Sequence, residues 1–307
     1  MPIHLPPLTR RRFLLGTLAG AGGVAVGAAW WWFGERTPPL VDPNWLALLS
    51  DTHLHADRAY VHVTKVNVWD HFRRAAREIL ALDTRPAAAL INGDVAFKNG
   101  AAGEYLTVID ALKPLREGGI GIHCGLGNHD HRANFLAALP QDDRRVNDVG
   151  DKCVSVVRMP HADWYLLDTL DQTDVTPGRL GAEQVDWLAA RLDADAARPA
   201  VIMLHHQPDL RDPPEHNGLI DTPSLLDVIR PRKQVKALLH GHLHTWNRRE
   251  EDGLHIISLP ATAYVFDDRH PSGWVDAHTS PTGMTLQLRS LTADHWADKQ
   301  RVEFAWR

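Results

Sequence analysis

The tetrapeptide Gly127-Asn128-His129-Asp130 combines residue types that could form part of a reaction centre. It follows the apolar run 120–124 and precedes an Ala- and Leu-rich stretch, which predicts a strand end, a tight loop and a helix start. In open α/β sheets such loops hold ligands. Asn offers a neutral carbonyl ligand, His can donate a proton, and Asp could orient that His. The tetrapeptide alone also fits simple turn chemistry, so its meaning depends on the other loops.

Four other apolar runs also end in residues that suit a metal ion. Together the five strand ends carry Asp51 and His53, Asp94, Asn128 and His129, His205, and His242 and His244. Side chains at i and i+2 of an extended chain point the same way, so the Asp-x-His and His-x-His pairs could share an ion. Imidazoles bind zinc, iron and similar metals, while carboxylates offset their charge and can bridge two ions. Two metals about 3.5–4 Å apart can activate a water and clamp a phosphoryl group.

The elements that would position these residues alternate between strand and helix before a strand-rich tail. Strands are predicted at 45–50, 87–91, 120–124, 152–158, 164–170, 201–204, 235–239, 254–259, 273–278, 284–291 and 301–306. Helices are predicted at 67–82, 103–117, 130–139, 181–193 and from Thr222, with Asn67 and Thr222 as N-caps. This order predicts an α/β layered fold with an antiparallel portion. If the strands share a sheet, the loops that carry the ligands meet along one edge.

The five blocks, in this order, resemble the motifs of the calcineurin-like metallophosphoesterases over roughly residues 45–263. The stretches 49–54 and 205–208 look most like the branch that contains class III cyclic-nucleotide phosphodiesterases. The resemblance implies a four-layer α-β-β-α sandwich of two mixed β-sheets flanked by helices. It also implies an enzyme that hydrolyses phosphodiester or phosphomonoester bonds.

The resemblance further implies two divalent metal ions and a role for each block. One metal would be bound by Asp51, His53, Asp94 and His244, and the other by Asp94, Asn128, His205 and His242, with Asp94 bridging. A metal-bound hydroxide would attack phosphorus. His129, oriented by Asp130, would contact the phosphate and protonate or stabilise the leaving oxygen. Mn, Fe, Zn and Co all suit such a donor set.

Two sub-branches of that family are disfavoured by the residues around Asp94. Purple acid phosphatases place a tyrosine ligand three residues after the bridging Asp, where this chain has Phe97, so we expect no tyrosinate-iron colour. Protein Ser/Thr phosphatases carry Gly-Asp-x-Val-Asp-Arg-Gly, and residues 93–100 lack its second acidic residue and its arginine. We therefore expect neither activity.

Three further residues are candidates for substrate contact: His55, Asn99 and His206. His55 extends the first block to His-x-His, which could instead open an amidohydrolase barrel. The Asn-His-Asp and Gly-His-x-His blocks do not belong to that barrel. A noncatalytic, membrane-tethered binding protein on the same fold is the other alternative.

The N-terminus predicts export. Residues 9–15, Thr-Arg-Arg-Arg-Phe-Leu-Leu, resemble a twin-arginine (Tat) signal and precede the uncharged run 13–33. That run of 21 residues could also cross a hydrocarbon core of about 30 Å and act as an anchor. We expect residues 1–33 to be a signal recognised by the Tat machinery, 34–43 a linker, and 44–307 a periplasmic domain, either released or anchored to the inner membrane.

Composition narrows the class of protein. The chain has 307 residues, 19 of them histidine, and a formal net charge of -5, which leaves no basic face for nucleic acid. Two cysteines, Cys124 and Cys153, are too few for a disulfide framework. A single disulfide between them is possible. Because Cys124 falls in a predicted buried strand, we expect buried, unbridged thiols instead.

Overall fold

The structure, a computed structural model, describes residues 39–139, 145–146, 149–211 and 217–306. The predicted signal at 1–33 and residues 34–38 of the predicted linker lie outside these residues, as do residues 212–216 of the loop before Thr222. No helix in the described ranges is long and apolar enough to span a membrane.

Thirteen strands and five helices form within the described residues. In chain order they are β1 (Leu40–Leu49), α1 (Val68–Leu80), β2 (Thr84–Asn92), α2 (Ala102–Glu117), β3 (Gly121–Gly125), α3 (Arg132–Ala138), β4 (Arg145–Val146), β5 (Val154–Arg158), β6 (Asp163–Leu166), α4 (Ala182–Ala194), β7 (Ala200–Leu204), α5 (Thr222–Ile229), β8 (Val235–His240), β9 (Asn247–Glu251), β10 (Leu254–Ser258), β11 (Gly273–Ser280), β12 (Gly283–Ser290) and β13 (Arg301–Ala305).

The strands form two mixed sheets. One has the order β13-β12-β11-β1-β2-β3, in which β1, β2 and β3 are parallel and the other three are antiparallel. The second has the order β4-β5-β6-β7-β8-β10-β9, with β6, β7, β8 and β10 parallel. The side-chain amide of Asn92, at the end of β2, donates to the carbonyl of Leu204, at the end of β7 (2.8 Å). This bond joins the carboxyl ends of the two sheets.

Side-chain alternation along the strands produces four layers. Leu48 of β1 and Met203 of β7 are fully buried in the same core between the sheets. Their neighbours Leu49 and Leu204 point to the opposite faces, where they pack in two separate cores with the helices. Helices α1, α2 and α3 cover the first sheet, and α4 and α5 cover the second. The predicted α-β-β-α sandwich is therefore confirmed.

Several element boundaries differ from the prediction. Strand β1 begins at Leu40, inside the predicted linker, and pairs there with Thr84. Asn67 caps α1 as predicted, but the N-cap of α5 is Asp221 and Thr222 is already helical. The Thr222 hydroxyl donates to the carbonyl of Leu219 (2.5 Å), which gives it a partner outside the helix. Strand β9, an exposed and charged edge strand, was not predicted because its sequence lacks apolar alternation.

Candidate metal centre

The ligand-bearing strand ends share an unusual backbone conformation. Five of the seven predicted metal ligands have positive φ angles, namely Asp51 (49°), His53 (42°), Asp94 (46°), His242 (68°) and His244 (54°). Such angles are uncommon for residues other than glycine and cluster at functional sites. The chain turns sharply at the end of β1, β2 and β8, so that side chains of consecutive loop residues face a common centre.

Two glycines of the motifs allow the loops to approach one another closely. A Cβ at Gly127 would lie 2.2 Å from Oδ1 of Asp94, and a Cβ at Gly241 would lie 2.5 Å from Oδ2 of Asp51. Any side chain at these positions would displace a carboxylate. Glycine is therefore required here for close packing against the ligands.

Backbone carbonyls fix the ring orientation of three histidines. Nδ1 of His53 is 3.0 Å from the carbonyl of Phe97, Nδ1 of His205 is 2.9 Å from that of Asn92, and Nδ1 of His244 is 2.6 Å from that of Tyr264. A carbonyl can only accept, so each Nδ1 carries the proton that it donates. This arrangement leaves each Nε2 as the metal-binding nitrogen, as is common for metal-ligating histidines.

The first donor group lies where β1 and β8 end. Asp51, His53 and His244 offer donor atoms that lie within 4.8 Å of one another. The Nε2 atoms of His53 and His244 are 3.1 Å apart, and Nε2 of His244 is 3.3 Å from Oδ1 of Asp51. Three donors directed at one point form the geometry of a cation site.

The second donor group consists of Asp94, His205 and Asp51, whose donor atoms lie within 4.8 Å of one another. Oδ2 of Asp94 lies 3.2 Å from Nε2 of His205 and 3.6 Å from Nε2 of His53. One carboxylate oxygen thus faces a predicted ligand of each metal. Nε2 of His242 is 3.2 Å from the carbonyl of Asn217, so this nitrogen donates and Nδ1 is left to bind a cation.

An unsatisfied buried atom indicates that the site fits a divalent metal. Oδ1 of Asn128 is one of the buried side-chain atoms of the described residues that have no hydrogen-bond partner. Buried polar atoms in folded proteins nearly always have a partner, so such an atom requires an explanation. Asn128 is a predicted ligand of the second metal. Mixed imidazole, carboxylate and amide donors suit the metals named above.

Burial and mutual charge set the protonation of these groups. Burial lowers the pKa of His53 and of His242 to about 4, so both imidazoles are neutral at pH 7. Burial alone would raise the pKa of Asp51 and Asp94, but the neighbouring histidines outweigh it and hold both values well below the usual range. Burial would also lower the pKa of His205, yet the charges of Asp94 and Asp51 raise it to about 10. A metal that binds here must displace a proton from His205.

His129 lies at the mouth of the centre, and its side chain is 28% exposed. Its backbone N–H donates to Oδ1 of Asp94 (2.8 Å). Nδ1 of the ring is 2.7 Å from the carbonyl of Lys98 and 3.5 Å from Oδ1 of Asp174. Since the carbonyl holds the Nδ1 proton, Nε2 is the nitrogen available to a substrate.

Asp130 does not orient His129, contrary to the role carried over from the resemblance. Its fully buried carboxylate accepts hydrogen bonds from the backbone of Gly127, Val95 and Ala96 (2.9–3.1 Å) and from the Tyr105 hydroxyl (3.0 Å). These four donors occupy both oxygens. Asp130 therefore fixes the loop between β3 and α3 to the loop after β2, and the Lys98 carbonyl holds the His129 ring.

The three candidates for substrate contact lie in different surroundings. His55 is half-buried and stacks on Tyr60 with ring centroids 4.2 Å apart, while Asn99 is exposed. His206 is fully buried, which excludes direct contact with a bound substrate in this conformation. Its Nδ1 is 2.8 Å from the Thr169 hydroxyl oxygen. One ring nitrogen of His206 also lies close to ring nitrogens of His205 and His242, and the three form a third donor group.

Sequence reasoning missed the partners that hold the predicted side chains. Asp174, which approaches His129, sits in a loop far along the chain and has a positive φ of 61°. Asn217 and Tyr264 act through their carbonyls on His242 and His244. Backbone carbonyls are common to every residue, so no residue type could have indicated these contacts.

Comparison with known proteins agrees with this geometry. Residues 45–246 match the calcineurin-like phosphoesterase family. The chain is a calcineurin-like phosphoesterase. The predicted family and its class of enzyme, a metal-dependent phosphoester hydrolase, are both confirmed.

This phosphoesterase is similar in sequence to proteins of the predicted branch. A probable cyclic nucleotide phosphodiesterase of Synechococcus sp. is 31% identical over 225 residues, which cover 72% of this chain and 80% of that protein. The 3′,5′-cyclic adenosine monophosphate phosphodiesterase CpdA of Haemophilus influenzae is 26% identical over 83% of this chain and 93% of its own. The fold is also similar to the structure of a dimetal phosphatase from Danio rerio. The two structures align over 87% of this chain and 100% of the phosphatase chain, with a TM-score of 0.66. Its 15% identity makes that likeness one of fold alone.

Proposed function

We propose that the protein is a binuclear phosphodiesterase that hydrolyses 3′,5′-cyclic nucleotides. The proposal of two metals rests on the position of Asp94, because its Oδ2 lies close to Nε2 of both His53 and His205. Each of these histidines belongs to a different donor group. The similarity to cyclic nucleotide phosphodiesterases supports a cyclic diester as substrate.

Different side chains would have different roles in such a reaction. Two divalent ions, when bound, supply an activated water and positive charge for the phosphoryl oxygens. Neutral His53 and His242 bind without prior loss of a proton, and Asp51 and Asp94 offset the charge of the ions. When both ring nitrogens of His129 carry a proton, Nδ1 donates to the Lys98 carbonyl and Nε2, at the mouth, can donate a proton or hydrogen bond to the departing oxygen. General acid assistance of this kind contributes typically about 10²–10⁴ in rate.

Hydrolysis by the metal-loaded, full-length protein tests this function. We expect Mn²⁺-dependent turnover of 3′,5′-cyclic AMP and of bis-p-nitrophenyl phosphate. Asp94→Ala removes the carboxylate oxygen that lies 3.6 Å from Nε2 of His53 and 3.2 Å from Nε2 of His205, and should abolish activity together with at least one metal. The matched control is Asp110→Ala, because Asp110 is a half-exposed carboxylate on α2 that pairs with Arg58. Metal-loaded wild-type protein that is inert towards both esters would refute the proposal.

We also propose that the phosphoesterase acts outside the cytoplasm, exported by the Tat pathway through residues 1–33. The support is the Thr-Arg-Arg-Arg-Phe-Leu-Leu sequence and the uncharged run that follows it. Lys in place of both Arg10 and Arg11 keeps the charge but removes the paired arginines. This double variant should accumulate in the cytoplasm, whereas wild-type protein should fractionate with the periplasm or the inner membrane. Equal distribution of the two would contradict export by this route.

A further inference from the structure

Six aromatic side chains form a continuous arc beside the metal centre. We call this arc the aromatic rim, and its members are His55, Tyr60, His62, Phe97, Tyr264 and Phe266. Ring centroids of successive members lie 4.2, 4.8, 6.4, 3.7 and 5.6 Å apart when the arc is followed from His55 through Tyr60, Phe97, His62 and Tyr264 to Phe266. The tightest pair, His62 on Tyr264, is nearly parallel at 9°.

The aromatic rim touches the first donor group at two points. Tyr264 stacks on His53 with centroids 5.1 Å apart, and Phe266 stacks on His244 with centroids 4.6 Å apart and planes 25° apart. Both histidines are predicted ligands of the same metal. A phosphoester bound at the centre would therefore place one of its ester groups close to the rim.

The exposed end of the rim is not part of a buried core. Phe266 is 72% exposed, although its ring rests on a metal ligand. Other apolar residues in the same loops are exposed as well, including Val61 (53%) and Val63 (81%) beside His62. Exposed apolar residues that lie together in one patch are typical of ligand-binding grooves.

Two arginines near the rim already have carboxylate partners. Arg58, in the same loop as Tyr60, pairs with Asp110, and Arg269, three residues after Phe266, pairs with Asp267. Paired arginines provide little attraction for additional phosphates. Flat aromatic faces instead bind planar rings by stacking, and every nucleobase offers such a face.

We propose that the aromatic rim binds the nucleobase of the substrate, with Phe266 as its open stacking face. This inference rests on the proposed phosphodiesterase function and adds the part of the substrate that the rim selects. Phe266 is thus a specificity-determining residue, which contacts the base and leaves the phosphoryl group to the donor groups.

Two ligands that differ only in the base provide the test. Adenosine 5′-monophosphate and ribose 5-phosphate are titrated calorimetrically into the full-length, Mn²⁺-loaded protein. Stacking of one base on an aromatic side chain is worth roughly 5- to 150-fold in affinity, so wild-type protein should prefer the nucleotide by a factor in this range. Phe266→Ala and Phe266→Leu should bring the ratio of the two dissociation constants towards one, while Phe266→Tyr should retain it.

Trp296→Ala is the matched control, because Trp296 is another exposed aromatic residue (75%) that is not a member of the rim. It should keep the wild-type ratio. A wild-type ratio near one, or a preference that survives both Phe266→Ala and Phe266→Leu, would overturn the assignment of the rim. Hydrolysis of bis-p-nitrophenyl phosphate by the same preparation separates this failure from failure of the proposed function, since that ester contains no nucleobase.

Discussion

The proton held by His205 predicts a steep pH dependence of metal binding. In the metal-free protein, the carboxylates of Asp94 and Asp51 lie 3.2 Å and 4.0 Å from Nε2 of His205 and, against the effect of burial, raise its pKa to about 10. At pH 7.5 a metal ion must displace that proton at a cost of about 3 kcal/mol, since each pKa unit corresponds to about 1.4 kcal/mol. The apparent affinity of the second site for Mn²⁺ should therefore rise about tenfold per pH unit between about pH 7 and 9.5.

Calorimetric titration of the metal-free protein with Mn²⁺ measures this effect. Buffers with different ionisation enthalpies report the number of protons released, and we expect one proton from His205 for each filled second site. His205→Gln keeps a polar side chain but cannot carry the proton, so its weaker binding should lose this part of the pH dependence. An affinity that stays constant from pH 7 to 9.5, or proton release that persists unchanged in His205→Gln, would refute the reasoning.

Three further predictions concern single side chains. Asn128→Ala should weaken binding of the second metal, whereas His129→Ala should leave metal bound and lower kcat about 10²–10⁴-fold. Metal analysis together with kinetics distinguishes the two variants. Equal metal loss in both would contradict the assignment of separate roles. Asp130→Ala should lower the free energy of unfolding in urea, because three backbone N–H groups and the Tyr105 hydroxyl lose their acceptor, each loss worth about 1–3 kcal/mol; unchanged stability would contradict its role in the loop. Burial lowers the pKa of His240 to about 4, so its neutral form contributes stability above pH 6.5 that is lost as the pH falls towards 4; His240→Gln should flatten this part of the stability curve, and an unaltered acid limb would exclude the contribution.

The positions of the seven candidate ligands could be predicted because each follows an apolar run that is typical of a strand. Asp51 and His244 follow β1 and β8, which belong to different sheets, so pairing of strands within one sheet does not explain why they meet. Their grouping was implied by the resemblance to the family's motifs. The strand-helix order predicted an α/β layered fold, whereas the four-layer sandwich was implied by the resemblance to the family. The sequence pattern could not indicate which neighbouring group would hydrogen-bond to each of these side chains and fix its orientation.

Asp130 illustrates that limit. An acidic residue directly after a histidine suggests that one orients the other, yet the backbone N–H groups of Val95 and Ala96 reach its carboxylate first. The aromatic rim was also hidden, because its rings come from three separate segments around His55, Phe97 and Tyr264. Phe97 was read in the sequence only as a missing ligand, whereas in the structure it packs between Tyr60 and His62.

The central claim is that Asp94 bridges two metal ions, and the position of those ions tests it most directly. Crystals of the full-length protein soaked in Mn²⁺ would locate them by anomalous scattering. We expect two peaks about 3.5–4 Å apart, one on the His53 side and one on the His205 side of Oδ2 of Asp94. A single peak, or none, with Asp94, His53 and His205 in the arrangement described above would contradict the binuclear centre.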